Sequence, residues 1–321
     1  MFDDTHRMST PLSRRRFLAS TSAALATGTL LNEARTAEAA EPIIDIHQHT
    51  HYHGRTDEKL LKHQQAMGVT TTILLPAGKP VNRASTHNGK SNGLAAKTGG
   101  NETVRAMAKH HPKEFLFGAN EVPDLPGMQK ELEKYLKTGA VIIGEQKFKV
   151  PCDSKFVWAV AEVAQEFGVP MLLHFQHNTY NLGIENFHKT LEKFPKVNFI
   201  GHAQAWWGNI DKKHIQKINY PQGKVTPGGI TDKLLSNYEN MFGDLSAGSG
   251  LNALIRDEAH TKEFFDRHQN QLLYGSDCAD SIGRGPSCQG SRTIDAVRRI
   301  SKTKKIERKL LFENSKKLFK L

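Results

Sequence analysis

The strongest constraint on the fold is an alternation between short β-branched segments and segments with helical spacing, which begins at Ile43 and continues to Phe319. The predicted strands are Ile43–Ile46, Val69–Leu75, Phe115–Ala119, Ala140–Gly144, Val169–His174, Val197–Gly201, Met241–Leu245 and Leu272–Gly275. Strands that alternate with helices pair in parallel, because each crossover must span the sheet. Eight such units favour a closed (β/α)8 barrel, the TIM barrel, over an open doubly wound sheet.

No internal repeat and no Pro/Ser-rich linker divides residues 41–321, so the sequence predicts a single α/β barrel domain there. Its 38% apolar and 24% charged residues are enough for a buried core and exclude a disordered chain. The segment Trp206–Gly229 is long and contains Gly, Pro and aromatic residues, which indicates a loop insertion over one barrel mouth.

The first forty residues have the pattern of an export signal. Ser13-Arg14-Arg15-Arg16-Phe17-Leu18 precedes a weakly apolar stretch, Ala19–Leu31, and a small-residue site, Ala37-Glu38-Ala39. This order resembles the twin-arginine signal, so we expect residues 1–40 to be cleaved and the mature protein to be periplasmic or extracellular. No stretch is long and apolar enough to predict a stable membrane span in the mature chain.

The formal net charge of +11 favours anionic ligands. No basic patch is interleaved with stacking aromatic residues, so a nucleic-acid partner is not predicted. Three cysteines are too few for a disulfide scaffold. Cys278 and Cys288 could pair in an oxidising compartment or remain buried thiols.

Polar residues follow five of the predicted strands at their carboxyl ends. They are His47 and His49, Glu145, His174, His202 and Asp277. The carboxyl ends of barrel strands face one rim, so we expect these side chains to meet there. His47 and His49 are two residues apart, so both imidazoles lie on the same side of an extended strand, as two ligands of one metal must.

These segments also resemble the metal-site motifs of a known superfamily. They are Ile44-Asp45-Ile46-His47-Gln48-His49, Leu172-Leu173-His174, Ile200-Gly201-His202 and Tyr274-Gly275-Ser276-Asp277, together with a closing helix at Leu311–Phe319. In this order they are similar to the amidohydrolase superfamily, and most of all to its amidohydrolase-related branch of metal-dependent TIM-barrel hydrolases. The resemblance covers residues 43–321.

The resemblance implies one divalent metal, with Zn²⁺ expected first, bound by His47, His49, His174 and Asp277. It implies that a metal-activated water attacks an amide, ester or lactone carbonyl of a small molecule. Asp277 would move the proton of this water, and His202 would polarise the carbonyl.

Glu145 departs from the modified lysine that several binuclear members carry on the fourth strand. Glu145 could bridge a second metal, in which case His202 becomes a ligand of that second ion. Alternatively, Glu145 only forms an ion pair with Lys147, two residues further on.

Two other functions stay open at this level. The same branch includes non-oxidative decarboxylases resembling aminocarboxymuconate-semialdehyde decarboxylase, whose carboxylate substrate needs a cationic partner. Lys147, Arg256 and Arg284 are the candidates for that partner. The third hypothesis is an exported binding protein that keeps the barrel without catalysis.

Four further residues are candidates for contact with substrate. Trp206 and Trp207 follow the sixth strand and either form an apolar wall for a cyclic substrate or pack under their own loop. Gln204 lies beside His202, and His177 lies just beyond His174.

Overall fold

The computed structural model describes residues 41–93 and 97–321, and the centre of this part of the chain is a ring of short parallel strands. They are β1 (Ile44–Gln48), β2 (Thr71–Leu74), β3 (Phe115–Phe117), β4 (Ile143–Gln146), β5 (Met171–His174), β6 (Phe199–His202), β7 (Met241–Asp244) and β8 (Leu272–Leu273). The predicted signal segment, residues 1–40, lies outside the described residues.

The ring closes through two junctions between a three-stranded sheet, β1-β2-β3, and a five-stranded sheet, β4 to β8. At the first junction Ala119 pairs in parallel with Ile143, and Gly144 N donates to Ala119 O at 3.0 Å. At the second junction Ile46 N donates to Tyr274 O at 3.1 Å. The structure therefore confirms the predicted (β/α)8 barrel.

Helices follow the strands and cover the outside of the barrel. They are α1 (Asp57–Met67), α2 (Asn101–His110), α3 (Met128–Leu136), α4 (Lys155–Phe167), α5 (His188–Lys193), α6 (Ala203–Gly208), α7 (Ile230–Asn237), α8 (Ala247–Ile255), α9 (Glu258–His268), α10 (Gln289–Ile300), α11 (Lys304–Arg308) and α12 (Asn314–Phe319). A π-helical turn, Lys309–Glu313, joins α11 to α12. Single 3₁₀ turns lie at Tyr52–Gly54, Ser91–Gly93 and Ile184–Asn186.

Strand side chains divide between two apolar layers because successive residues point to opposite faces. One set fills the barrel interior, and Phe319 of the last helix packs against it; its strand members are Ile44, Ile46, Ile73, Leu172, Ile200 and Leu273. The other set packs against the helices and forms the larger core cluster. The polar residues at the strand ends lie beyond the interior layer, where the barrel needs no apolar filling.

Two sequence predictions differ from the structure. The helical spacing of Ala253–His268 predicts one helix, but the structure breaks it between α8 and α9, because the Asp257 side chain accepts a hydrogen bond from His260 N and begins a new helix there. The predicted loop insertion begins with a helical turn, since Trp206 to Gly208 belong to α6.

Residues Pro42–Leu321 form one compact unit. Within the part of the chain that the structure describes, every helix is too short or too polar to cross a bilayer.

Candidate metal centre

The barrel brings the predicted polar residues to one rim. His47 lies in β1 and His49 directly after it, while Glu145, His174 and His202 lie in β4, β5 and β6. Asp277 follows β8 and is fixed by its backbone, because Asp277 N donates to His47 O at 2.8 Å. All six side chains are buried.

His47, His49 and Asp277 form one group of donors. Their ligand atoms all lie within 4.8 Å of one another. The two Nε2 atoms of His47 and His49 are 3.2 Å apart, and Asp277 Oδ1 is 3.5 Å from His49 Nε2. Ligands bound at roughly 2.0–2.2 Å around one ion lie about 3.0–3.6 Å from each other, so these spacings suit one cation.

Glu145 lies between this group and two other histidines. Its Oε2 is 3.5 Å from His49 Nε2, while its Oε1 is 2.5 Å from His174 Nδ1 and 3.7 Å from His202 Nε2. Oε1 is also 3.6 Å from Lys147 Nζ. The Glu145 carboxylate therefore contacts both the donor set and Lys147.

His174 is placed differently from the other candidate ligands. His47, Glu145 and His202 make a second group within 4.8 Å, but His174 belongs to neither group among the described residues. Its Nδ1 contacts Glu145, and its Nε2 is 3.3 Å from Gln176 Oε1. The structure thus links His174 to the donors through Glu145.

Two buried atoms support a bound cation. Asp277 Oδ1 and His202 Nε2 have no hydrogen-bond partner within the described residues. Buried polar atoms without a partner cost free energy, and a cation between them would offset this cost. The residues present therefore fit a divalent metal.

Hydrogen-bond acceptors on the side away from the donor group orient three of the imidazoles. His47 Nδ1 is 2.7 Å from Asp244 Oδ2, His202 Nδ1 is 2.9 Å from Ser246 Oγ, and His49 Nδ1 is 2.8 Å from Leu75 O. Each contact engages Nδ1 and leaves Nε2 facing the donor group. Such outer partners fix the tautomer and orientation of a ligating histidine.

The electrostatics keep the two carboxylates ionised. Burial would raise the pKa of Glu145, but the charge of Lys147 and the hydrogen bond with His174 Nδ1 hold it well below its ordinary range. Burial would likewise raise the pKa of Asp277, but the charge of His47 lowers it below its ordinary value. Burial and the charge of Lys147 lower the pKa of His174 to about 3, which favours a neutral ring.

A cavity of about 210 Å³ opens onto the donors. Lys147 and Gln204, two of the predicted substrate contacts, line it together with His174, His202 and Asp277. His177 instead lines a neighbouring cavity of about 180 Å³ with Gln176.

The other four candidates for substrate contact are not among the residues that line this cavity. Trp206 stacks on Phe175, and Trp207 Nε1 donates to Asp244 O at 2.8 Å, so both indoles are buried in the core under their own loop. Arg256 Nη1 lies 3.7 Å from Asp211 Oδ2. Arg284 lines a separate cavity beside α1 and α10.

Sequence reasoning missed four residues of the site. Tyr52 and Tyr220 line the cavity from loops, whose side chains no periodicity places. Asp244 and Ser246 support the histidines at the end of β7. The sequence carried a signal for Asp244, since β7 ends in a carboxylate just as β5 and β6 end in histidine.

The fold and this rim cluster define the class of the molecule: a TIM-barrel protein whose strand ends carry buried imidazole and carboxylate donors. No protein-family model matches the sequence, and no curated protein matches it.

Solved structures match its fold. Similar structures include 2,6-dihydroxybenzoate decarboxylase complexed with 2,6-dihydroxybenzoate, with a TM-score of 0.54, 15% identity and coverage of 88% of this chain and 100% of that one. The probable 2-pyrone-4,6-dicarboxylic acid hydrolase of Acinetobacter baumannii gives a TM-score of 0.55, 13% identity and coverage of 87% and 99%. A manganese complex of 5-carboxyvanillate decarboxylase from Novosphingobium aromaticivorans gives a TM-score of 0.52, 13% identity and coverage of 82% and 80%. These likenesses show the barrel fold, and the proteins that share it include both decarboxylases and a hydrolase.

Proposed function

We propose that this protein is a metal-dependent hydrolase of the amidohydrolase type that cleaves an amide, ester or lactone carbonyl of a small anionic molecule. One observation carries the proposal. The Asp277 carboxylate spans the site, with Oδ1 3.5 Å from His49 Nε2 and Oδ2 3.6 Å from His202 Nε2. One group therefore contacts the metal donors and the side chain that borders the substrate cavity.

His47, His49 and Asp277, with Glu145 beside them, would hold the cation. Imidazole and carboxylate ligands suit Zn²⁺, and a manganese ion occurs in one protein of similar fold. A bound divalent cation would lower the pKa of a water molecule toward neutrality and so supply a nucleophile.

Asp277 would transfer the proton, and His202 would stabilise the developing negative charge. Asp277 is placed to accept the proton of the attacking water and to return it to the leaving group. His202 lines the cavity next to Asp277, where it would contact the carbonyl oxygen as negative charge develops on it.

Lys147 supports an anionic substrate. Its side chain is buried, it lines the cavity, and Glu145 balances its charge from 3.6 Å. A cationic group at the wall of a small cavity would attract and orient a carboxylate of the substrate. The net charge of +11 would also favour the approach of anions.

The reaction can be tested by product analysis in ¹⁸O-labelled water. The metal-loaded protein is screened against lactones, amides and aromatic carboxylates, and each product is analysed by mass spectrometry. Hydrolysis places one labelled oxygen in the organic product, and Asp277→Asn should abolish this incorporation. Binding of these compounds without turnover under any metal would contradict the proposal.

Decarboxylation is the second candidate function, and the buried Lys147 in the cavity wall is the observation that favours it. Arg256 and Arg284 do not line that cavity, so Lys147 is the cation that would hold a carboxylate there. Release of carbon dioxide without a water-derived oxygen in the organic product would replace the hydrolase proposal with this one.

The second donor group, in which Glu145 lies with His47 and His202, also favours a second cation at the rim. Metal analysis would then find two ions at the rim, and Glu145→Gln should remove one of them. If the wild-type rim binds one ion and Glu145→Gln still binds it, Glu145 acts only as the ion-pair partner of Lys147.

We also propose that residues 1–40 direct export by the twin-arginine route, on the basis of their sequence pattern. Replacement of Arg15 and Arg16 by lysine should retain the full-length chain in the cytoplasm. Processing and export that continue in this variant would contradict the proposal.

A further inference from the structure

A second buried cluster of donor atoms lies outside the rim site. His63 belongs to α1, while Cys278 and Cys288 lie in the segment that joins β8 to α10. The three ligand atoms lie within 4.8 Å of one another, and all three side chains are buried. The proposed hydrolysis uses none of them.

Two of the three donor spacings match a tetrahedral metal site, and the third lies within 4.8 Å. The two sulfur atoms are 3.9 Å apart, and Cys288 Sγ is 3.5 Å from His63 Nε2. With metal–sulfur bonds of about 2.3 Å and metal–nitrogen bonds of about 2.0 Å, tetrahedral angles place two sulfurs about 3.8 Å apart, and sulfur and nitrogen about 3.5 Å apart. Both cysteines are free thiols in the structure.

His63 is held in the tautomer that a ligand needs. Its Nδ1 is 3.1 Å from Gln64 Oε1, which can only accept a hydrogen bond, so Nδ1 carries the proton. The lone pair of Nε2 then faces the thiols. This is the arrangement in which an outer carbonyl orients a metal-bound imidazole.

Two further groups border the cluster. Met67 Sδ is 3.7 Å from Cys288 Sγ, and Asp280 Oδ2 is 3.9 Å from His63 Nε2. The Asp280 oxygen already accepts hydrogen bonds from Ile282 N and Gly283 N, which leaves the thioether as the less engaged neighbour. Met67 also lines a cavity of about 250 Å³, but none of the three donors lines it, and all three stay buried.

We propose that His63, Cys278 and Cys288 bind a thiophilic d¹⁰ cation, Zn²⁺ or Cu⁺, at a site separate from the rim. Thiolate and imidazole ligands bind both ions, and a thioether neighbour favours Cu⁺. The two thiol protons pass to solvent as the metal binds. The bound ion would join α1 to the segment that follows Asp277 and so hold that loop beside the rim.

Cobalt substitution of the intact protein tests this site directly. The chain is purified under reducing conditions, stripped with a chelator and titrated with Co²⁺. The thiol cluster predicts a near-ultraviolet thiolate-to-cobalt charge-transfer band, which imidazole and carboxylate ligands at the rim cannot produce. Absence of this band in folded protein that binds Co²⁺ at the rim would overturn the proposal.

A matched pair of variants assigns the band to its ligands. Cys288→Ser should lose the band and one bound ion, whereas Cys152→Ser should keep both, because Cys152 Sγ donates to Gly183 O far along the chain from this cluster. A band that survives in folded Cys288→Ser would contradict the assignment. Sulfur scattering in the X-ray absorption spectrum of the zinc-loaded wild-type protein provides a check that needs no variant.

The Met67→Leu variant distinguishes the two ions. If Cu⁺ is the resident metal, loss of the thioether should weaken Cu⁺ binding and leave Zn²⁺ binding unchanged. If Zn²⁺ is resident, the protein isolated from cells should contain zinc, and Met67→Leu should retain it.

Discussion

The two donor clusters of this protein share one construction and differ in chemistry and access. In both, an acceptor engages Nδ1 of a histidine and turns Nε2 toward the other donors: Asp244 does so for His47, and Gln64 does so for His63. The rim cluster has carboxylates and borders a cavity, whereas the other cluster has thiols and is buried. A catalytic metal site needs an open position for substrate or water, whereas a structural metal site does not. The access of small molecules therefore distinguishes the catalytic role proposed for the rim from the structural role proposed for the thiol cluster more clearly than the number of ligands does.

The largest expected effect comes from removing the paired histidines of the rim. His47→Ala with His49→Ala should remove the rim metal and lower turnover by roughly 1,000-fold or more, because several kcal/mol of charge stabilisation are lost. Metal analysis and steady-state kinetics measure this, and circular dichroism checks that the barrel still folds. Activity retained in a folded double variant would place catalysis elsewhere.

The next largest effect tests whether Asp244 orients His47 at the rim. Asp244→Asn removes the carboxylate 2.7 Å from His47 Nδ1, and we expect a loss of about 10–100-fold in metal affinity or activity. Asp232→Asn is the matched control, because Asp232 Oδ1 is 2.6 Å from His268 Nε2 in the helical layer and contacts no rim donor. Equal loss of metal in both variants would show that general stability, and not orientation of His47, is responsible.

The contact between Asp232 and His268 also predicts a pH dependence of stability. Burial would raise the pKa of Asp232, but hydrogen bonds from His268 and Arg267 hold it well below its ordinary value. The contribution of Asp232 to the free energy of unfolding is therefore complete above its unfolded-state pKa of about 3.9. It is lost as the pH falls through the lower pKa that Asp232 has in the folded state. Urea unfolding should give a difference of about 1–3 kcal/mol between wild type and Asp232→Asn at neutral pH. A difference that grows on acidification would contradict this sign.

The smallest expected effect concerns Trp207. Trp207→Phe removes the hydrogen bond from Nε1 to Asp244 O while keeping an aromatic ring, which should cost about 1 kcal/mol of unfolding free energy. We expect KM to stay unchanged, because the indole does not line the cavity. A large rise in KM would restore Trp207 as a wall of the substrate site.

Sequence pattern predicted the barrel well because the strands contain short apolar runs, and five of the eight end in a polar residue. The pattern also placed His47, Glu145 and His202 at one rim, since strand polarity alone determines that end. The strand bounds were predicted less accurately. The first strand was predicted to end at Ile46, but β1 extends to Gln48, because a polar side chain such as that of Gln48 gives no sequence signal that the strand continues.

What the sequence could not predict depends on contacts between distant loops. Trp206 is buried against Phe175, although its position in an aromatic loop favoured a substrate wall equally well. His63 lies on a helix that carries no metal-binding pattern of its own, and only the fold brings it to Cys288. Such pairs have large sequence separations, and local periodicity carries no information about them.

The Arg55 guanidinium has a consequence for the order of biosynthetic events. Arg55 Nη1 donates to Cys278 O at 2.8 Å, and Asp277 N reaches His47 O, so the first and eighth units of the barrel are joined across more than 220 positions. These contacts cannot form on a nascent chain until residue 278 has left the ribosome. Neither cluster is therefore complete during most of translation, and a metal could bind to either one only late in synthesis or afterwards.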